Sequence, residues 1–185
     1  MAETPSVMLP LGTIAPSFTL PDTVSGTSLS LDELKSSVAT VVMFICNHCP
    51  FVKHVNEELV RLAGDYQSKG ISFIAISSND VANYPQDGPD QMKITAETEG
   101  YSFPYLYDET QEVAQAYQAA CTPDFYIFDE NLQLAYRGQL DGSRPGNEVP
   151  VTGRDIRNAL DSLLAGTAVD SNQLPSIGCN IKWKQ

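Results

Sequence analysis

The sequence predicts an α/β fold in which helices flank a central sheet of mixed direction. Three observations carry this. Residues 38–45 (Val-Ala-Thr-Val-Val-Met-Phe-Ile) are largely β-branched and almost wholly apolar, as a strand buried on both faces requires. Residues 50–69 follow with Phe51, Val55, Leu59 and Leu62 on one helical stripe, and Gly70 is placed to stop that helix. Residues 71–76 are a second apolar run, so the three segments form a β-α-β unit with a right-handed crossover and parallel strands.

The remaining elements follow in order. Residues 1–16 are Pro-rich without periodicity and read as an extended lead-in, and residues 20–30 suit an N-terminal hairpin. Residues 79–100 read as a loop and then a short helix from Pro89, because proline is tolerated in a first turn. Residues 103–107 form a short strand. Asp108-Glu109-Thr110-Gln111 resembles a capping box for a helix through about Ala120, with Val113, Ala116 and Tyr117 inward. Residues 125–128 and 132–137 read as two strands around Asp129-Glu130-Asn131, which makes the sheet mixed. Thr152 and Asp155 open a last helix carrying Ile156, Leu160 and Leu163 and ended by Gly166. The tail, residues 166–185, closes on an apolar cluster and reads as ordered, with Trp183 and two isoleucines expected to be buried. No repeat or Gly/Ser linker divides the chain, so one domain over residues 1–185 is expected, with a core of about 11–165 and a C-terminal tail of 166–185.

Composition narrows the function. The 11 Lys and Arg against 23 Asp and Glu give a net charge of −12. A surface this acidic repels phosphate backbones and anionic lipid, which argues against nucleic-acid and membrane-surface partners. The longest apolar run, residues 38–46, is far shorter than the roughly 20 residues of a spanning helix. The first residues lack a basic and an apolar signal region, and no N-x-Ser/Thr site occurs, so a cytoplasmic setting is expected. Four cysteines in such a setting do not read as a disulfide framework.

Their spacing carries the chemistry. Cys46-Asn47-His48-Cys49 lies at the junction of the first strong strand and its helix. A helix N-terminus presents unpaired N–H groups and partial positive charge, which stabilise a thiolate. His48, when protonated, is expected to add a positive charge beside Cys46 and favour the reduced form. Cys46 is expected to be the more exposed sulfur and the nucleophile, with Cys49 one turn in as the resolving thiol. Lys53 is either a further cationic support or a solvated lysine, and His54 reads as a surface residue. A structural zinc site needs four ligands, whereas Cys121 and Cys179 stand singly. No metal and no cofactor are therefore expected.

Phe44 to Pro50 resembles the active site of the thioredoxin fold. Cys121-Thr122-Pro123 and the strand after it resemble that fold's cis-proline loop. The opening Leu11-Gly12-Thr13-Ile14-Ala15-Pro16-Ser17-Phe18-Thr19-Leu20 is similar to the start of the peroxiredoxin-like branch of the alkyl hydroperoxide reductase/thiol-specific antioxidant (AhpC/TSA, redoxin) family. The resemblance spans roughly residues 11–164. It implies a thioredoxin-like fold in which Pro123 is cis, packs on the cysteine pair and presents backbone to substrate. Asn47, His48 and Thr122 become active-site neighbours, and Cys121 and Cys179 possible additional redox thiols. Cys179 reads either as a distal resolving thiol or as a packed residue of the tail.

The sequence departs from the family's true peroxidases. Their peroxidatic cysteine matches Cys49, but Cys46 stands where they have threonine, and the upstream strand lacks their proline. Arg137 matches their late arginine only loosely. Thioredoxin's buried carboxylate before the pair is also missing from residues 38–45, which leaves His48 as one candidate proton acceptor for Cys49. The leading expectation is a thiol–disulfide oxidoreductase cycling Cys46 and Cys49 in cytoplasmic redox homeostasis. Its partners would be disulfide-containing proteins, small thiols or peroxides, and an upstream reductant of the thioredoxin or glutathione type. The alternatives are a thiol peroxidase resolved by Cys121 or Cys179, and a non-catalytic redox sensor or binding module. A monomer or homodimer is expected.

Overall fold

A computed structural model describes residues 3–185. Its centre is a five-stranded sheet of β4 (Ala39–Phe44), β5 (Ile71–Ser77), β6 (Tyr105–Tyr107), β8 (Asp124–Phe128) and β9 (Leu134–Gly138), in the order β6-β5-β4-β8-β9. β4 runs parallel to β5, and β5 to β6; β8 is antiparallel to both β4 and β9. The helices are α1 (Leu31–Leu34), α2 (Pro50–Gln67), α3 (Pro89–Glu99), α4 (Glu112–Ala116) and α5 (Arg154–Ala165). This is the mixed α/β architecture expected from the sequence.

Every residue of β4 is buried, as its unbroken apolar run requires for a strand covered on both faces. Alternation then divides the core in two. Val41 and Met43 join one cluster with Val52, Leu59 and Leu62 of α2, Met92 of α3 and Ile156 and Leu160 of α5. Val42 and Phe44 join the other with Leu31, Ala114 and Tyr117. Each large side chain fully buried in these layers contributes about 1.5–3 kcal/mol, so β4 is a rigid mount for whatever follows it.

The N-terminal hairpin is β2 (Thr19–Pro21) with β3 (Ser28–Ser30). Two helix starts differ from expectation. Gln111 takes a left-handed conformation (φ 66°), and Asp108 accepts from the backbone N–H groups of Val113 and Ala114, so Asp108 caps α4 without a capping box. That helix ends at Ala116, short of Ala120. Before α5, Asp141 accepts from the N–H groups of Thr152 and Gly153, both at 2.7 Å, and the helix starts at Arg154.

The two chain ends were the least legible. A second, antiparallel sheet joins β1 (Glu3–Pro5), β10 (Ile177–Asn180) and β7 (Cys121–Thr122), with β10 in the middle. The lead-in is thus a strand at its beginning, and the tail is built into the fold. Ile181 is buried as expected, but Trp183 is 40% exposed, a correction to its expected burial. The chain leaves the core after Ile181, where the Lys182 N–H donates to Asn79 and its carbonyl accepts from Asp80.

Gly178 sets how closely β10 approaches. A Cβ there would stand 2.0 Å from the carbonyl oxygen of Thr122 and 2.6 Å from its carbon. Backbone does not yield as a flexible side chain does, so only glycine fits. Gly178→Val is expected to destabilise the fold by about 1–3 kcal/mol, the usual cost of overpacking. The tail should become the first site of proteolysis, as read by thermal melting and by mapping early cleavage products.

Candidate active site

β4 ends at Phe44, and Ile45 still donates to the Ile76 carbonyl. The chain then turns through Cys46-Asn47-His48-Cys49 into α2, for which Cys49 is the N-cap and Pro50 the first residue. The turn packs on Thr122 and Pro123, whose peptide bond is cis, as the resemblance implied. The Cys46 sulfur lies 3.6 Å from the Thr122 hydroxyl, and the Cys49 sulfur 3.4 Å from the Thr122 carbonyl oxygen.

Neither cysteine is accessible: Cys46 is 2% exposed and Cys49 is fully buried. Cys46 is therefore not the open member of the pair that its place in the turn suggested, because the cis-proline loop closes over both. The electrostatics also run against the expectation. Cys46 is held well above the ordinary thiol range, first because it donates a hydrogen bond to Cys49, then by burial and by the Asp87 carboxylate. Cys49 is lowered to about 5. The Cys46 thiol is the chief cause, with the Cys179 thiol, the Thr122 hydroxyl and the Val52 N–H at the start of α2 as further donors; burial opposes them. A neutral Cys49 has one acceptor, the Thr122 carbonyl, whereas its thiolate has several donors. The thiolate thus belongs on Cys49.

Asp87, the third cause of the raised Cys46, falls in a stretch that the sequence pattern marks only as a loop. It lies in a single 3-10 turn, Pro85–Asp87, and is fully buried. It accepts from the N–H groups of Asn47 (2.9 Å) and His48 (3.3 Å), from His48 Nδ1 (2.5 Å) and from Asn79 Nδ2 (2.9 Å). Hydrogen bonds to a charged group contribute about 1.5–3 kcal/mol each, so this carboxylate fixes the turn. It also takes the His48 imidazole, which stacks on Tyr84 with ring centroids 5.6 Å apart. The His48 ring nitrogen is thus bound to Asp87, and the Asp87 carboxylate acts on Cys46 to raise it. Asn47 is held from its other side, donating to the Gln86 carbonyl and accepting from the Tyr105 hydroxyl, both at 2.9 Å.

Cys46, His48 and Asp87 bring one potential metal-ligand atom each within 4.8 Å of one another. Both Asp87 oxygens are already satisfied by nitrogen donors, so the chemistry of the set is that of a hydrogen-bonded turn.

Cys179 is the sequence candidate that the structure brings in. It faces Thr122 in register across β10 and β7, and its thiol helps to lower Cys49. Burial, then the neighbouring Cys49 sulfur, pushes it up to about 12. Cys121 is not brought in: its hydrogen bonds run to the Pro123 carbonyl and to Ser6, and burial pushes its thiol up strongly. Lys53 is exposed and His54 bonds Ser143 at 2.7 Å, so neither supports the pair. Arg137 ties the Leu9 carbonyl to Gln173, away from the cysteines. The missing buried carboxylate also has a partial substitute. Asp124, next to Pro123, is pushed up to about 7 by burial, though it bonds Ser6 and Tyr126 and faces Cys121.

A strand-to-helix cysteine pair closed by a cis-proline loop on a mixed sheet defines a thiol redox protein of the thioredoxin fold. The chain belongs to the AhpC/TSA family, which matches it over residues 11–137. It is similar to an uncharacterized conserved protein of Geobacillus kaustophilus (63% identity, TM-score 0.98, covering 100% of this chain and 97% of that one). A hypothetical protein of Sinorhizobium meliloti 1021 is 48% identical over 98% of each chain, with a TM-score of 0.95. A thioredoxin-family thiol:disulfide interchange protein of Chlorobium tepidum shares the fold at 18% identity, with a TM-score of 0.63 over 85% of this chain and 99% of that one. No curated protein matches the chain. No helix among the described residues is long and apolar enough to cross a membrane.

In reduced protein, the 240 nm absorbance of one thiolate is expected at neutral pH. It should disappear as the pH falls through about 5, because a lowered thiol pKa leaves the anion present above it. Cys49→Ser should remove that transition. Its persistence in Cys49→Ser, or its absence in the wild type, would place the thiolate elsewhere.

Proposed function

We propose that the protein is a thiol–disulfide oxidoreductase that cycles Cys46 and Cys49 between dithiol and disulfide. One observation carries this reading: the Cys49 sulfur, lowered to about 5, sits between the Cys46 thiol and the peptide that precedes cis-Pro123. The order of attack is the reverse of that suggested by the turn alone. The Cys49 thiolate attacks a substrate disulfide and forms a mixed disulfide. The first substrate sulfur leaves at that step; Cys46 then gives up its proton and attacks the Cys49 sulfur, the Cys46–Cys49 bond forms as the Cys49–substrate bond breaks, and the second substrate sulfur leaves, so that the substrate disulfide has gained two electrons and ends as two thiols. Thr122 and Pro123 position the substrate sulfur, and Asp87 keeps the turn in shape. The His48 ring, partly exposed beside Tyr84, Asn180 and Lys182, marks the approach.

The cycle closes when an upstream reductant of the thioredoxin or glutathione type reopens the pair. A cytoplasmic setting, where such reductants keep thiols free, belongs to the same reading. Family membership and the lowered Cys49 favour peroxide reduction as a second reading, since that sulfur matches the peroxidatic position. Cys46 in place of the pocket threonine weighs against it.

Purified protein supplied with dithiothreitol is expected to reduce a protein disulfide. Cys49→Ser should fall to background. The double variant Cys46→Ser/Cys179→Ser, which leaves Cys49 without a neighbouring thiol to resolve it, should complete the first step only and, once dithiothreitol is removed, accumulate as a mixed disulfide through Cys49, visible by intact mass. Peroxide consumption no faster than that of free cysteine is expected. Turnover in Cys49→Ser, or fast peroxide consumption without disulfide exchange, contradicts the proposal.

A further inference from the structure

β7 is the short strand that leads into cis-Pro123, and one of its edges lies open to pairing with an extended peptide. Here that edge is taken by the chain's own tail. β10 pairs with it antiparallel, Cys179 opposite Thr122 and Asn180 opposite Cys121, and β1 closes the outer side. Gly178 allows contact with the Thr122 carbonyl that no other residue permits. Ser176 fixes the approach by donating to the Pro123 carbonyl at 2.5 Å. An edge strand with a matching pocket is how sheets recognise extended peptides, and β10 lies in that position with a cysteine at the reactive register.

The sulfurs follow the backbone. Cys49 lies 3.4 Å from the Thr122 carbonyl, and Thr122 is the register partner of Cys179, so the Cys49 thiol and the Cys179 backbone meet the same residue. Cys46, Cys49 and Cys179 belong to one buried cluster in which Cys49 interacts with both of the others, whereas Cys121 donates to the Pro123 carbonyl.

We propose that Cys179 is a third redox thiol and β10 a built-in substrate strand, so that a disulfide at Cys49 passes between Cys46 and Cys179. This rests on the oxidoreductase reading above. The step needs no further oxidant once the Cys46–Cys49 disulfide exists. Cys179 gives up its proton and attacks the Cys49 sulfur; the Cys46–Cys49 bond breaks and the Cys49–Cys179 bond forms. Cys46 leaves as a thiolate and takes up the proton, with no net change in oxidation state. Charge favours this order. The Cys49 anion opposes ionisation of Cys179 in the reduced protein, and oxidation of the pair removes that anion while the nearby Lys182 charge stays. A Cys49–Cys179 bond fastens the tail over the site, and its reduction lets β10 yield the β7 edge to an external disulfide.

The full-length chain is equilibrated with oxidised and reduced dithiothreitol, quenched in acid, alkylated and mapped by mass spectrometry. The wild type is expected to show Cys46–Cys49 together with Cys49–Cys179, and Cys46→Ser to show Cys49–Cys179 as its one intramolecular bond. In Gly178→Val, which touches no sulfur, the Cys49–Cys179 share of the oxidised protein should drop about tenfold, as an overpacked strand contact implies. A Cys46→Ser protein that stays reduced where the wild type forms Cys46–Cys49 overturns this inference and leaves the oxidoreductase reading standing. A wild type that forms no Cys46–Cys49 bond overturns both. If Cys46→Ser does not fold, the wild-type map decides: a map lacking Cys49–Cys179 overturns the inference.

Discussion

The Thr122–Pro123 peptide unit is where the fold and the chemistry meet. Its hydroxyl faces Cys46, its carbonyl oxygen faces Cys49, and its backbone pairs with the tail strand that carries Cys179. The next carbonyl, that of Pro123, accepts from Ser176 and from Cys121. One short loop therefore sets the positions of all four sulfurs. It can do so because β8, which begins immediately after it, is wholly buried and paired along its length with β4, the strand that delivers the cysteine turn. Each strand fixes one half of the site, and their shared register fixes the halves against each other.

A second constraint comes from the opposite side. Asp87 is a fully buried carboxyl group with four nitrogen donors around it, and a buried polar group left without partners in that place would be strongly destabilising. Its donors include the turn's own backbone, so the carboxylate and the turn require each other. Cys46 is held neutral first by its interaction with Cys49 and by burial, and the Asp87 carboxylate adds to both. The asymmetry of the pair thus begins in the contact of the two sulfurs and is reinforced by a residue some 40 positions downstream and by Cys179 and Thr122 beside Cys49.

Much of this was legible in the sequence, and the reasons for the rest are physical. β4 and β5 announced themselves by unbroken apolar runs and α2 by its stripe, since each buries a continuous surface and has a pattern to match. The cysteine pair and the proline loop were visible as short motifs. Asp87 was not, because a Pro-flanked turn has no periodicity and its role depends on a long-range fold contact. The pairing of β1 with β10 was hidden for a related reason: strands of three and four residues at the chain ends carry too few positions to show alternation. The turn alone leaves Cys46 open, and its burial is not legible there because the covering elements come from residues 122–123 and 177–180. Trp183 shows the converse error, an aromatic assumed to be buried where the chain has already left the core.

The account turns on Cys49 being the sulfur through which electrons pass. The most direct measurement is nuclear magnetic resonance of protein labelled with carbon-13 at the cysteine Cβ positions, recorded in fully reduced and fully oxidised states. The Cβ shift separates thiol from disulfide at each position. Cys49 is predicted to move completely into the disulfide range on oxidation, while Cys121 stays a thiol throughout. A Cys49 resonance that remains in the thiol range, with another cysteine oxidised in its place, would contradict the account.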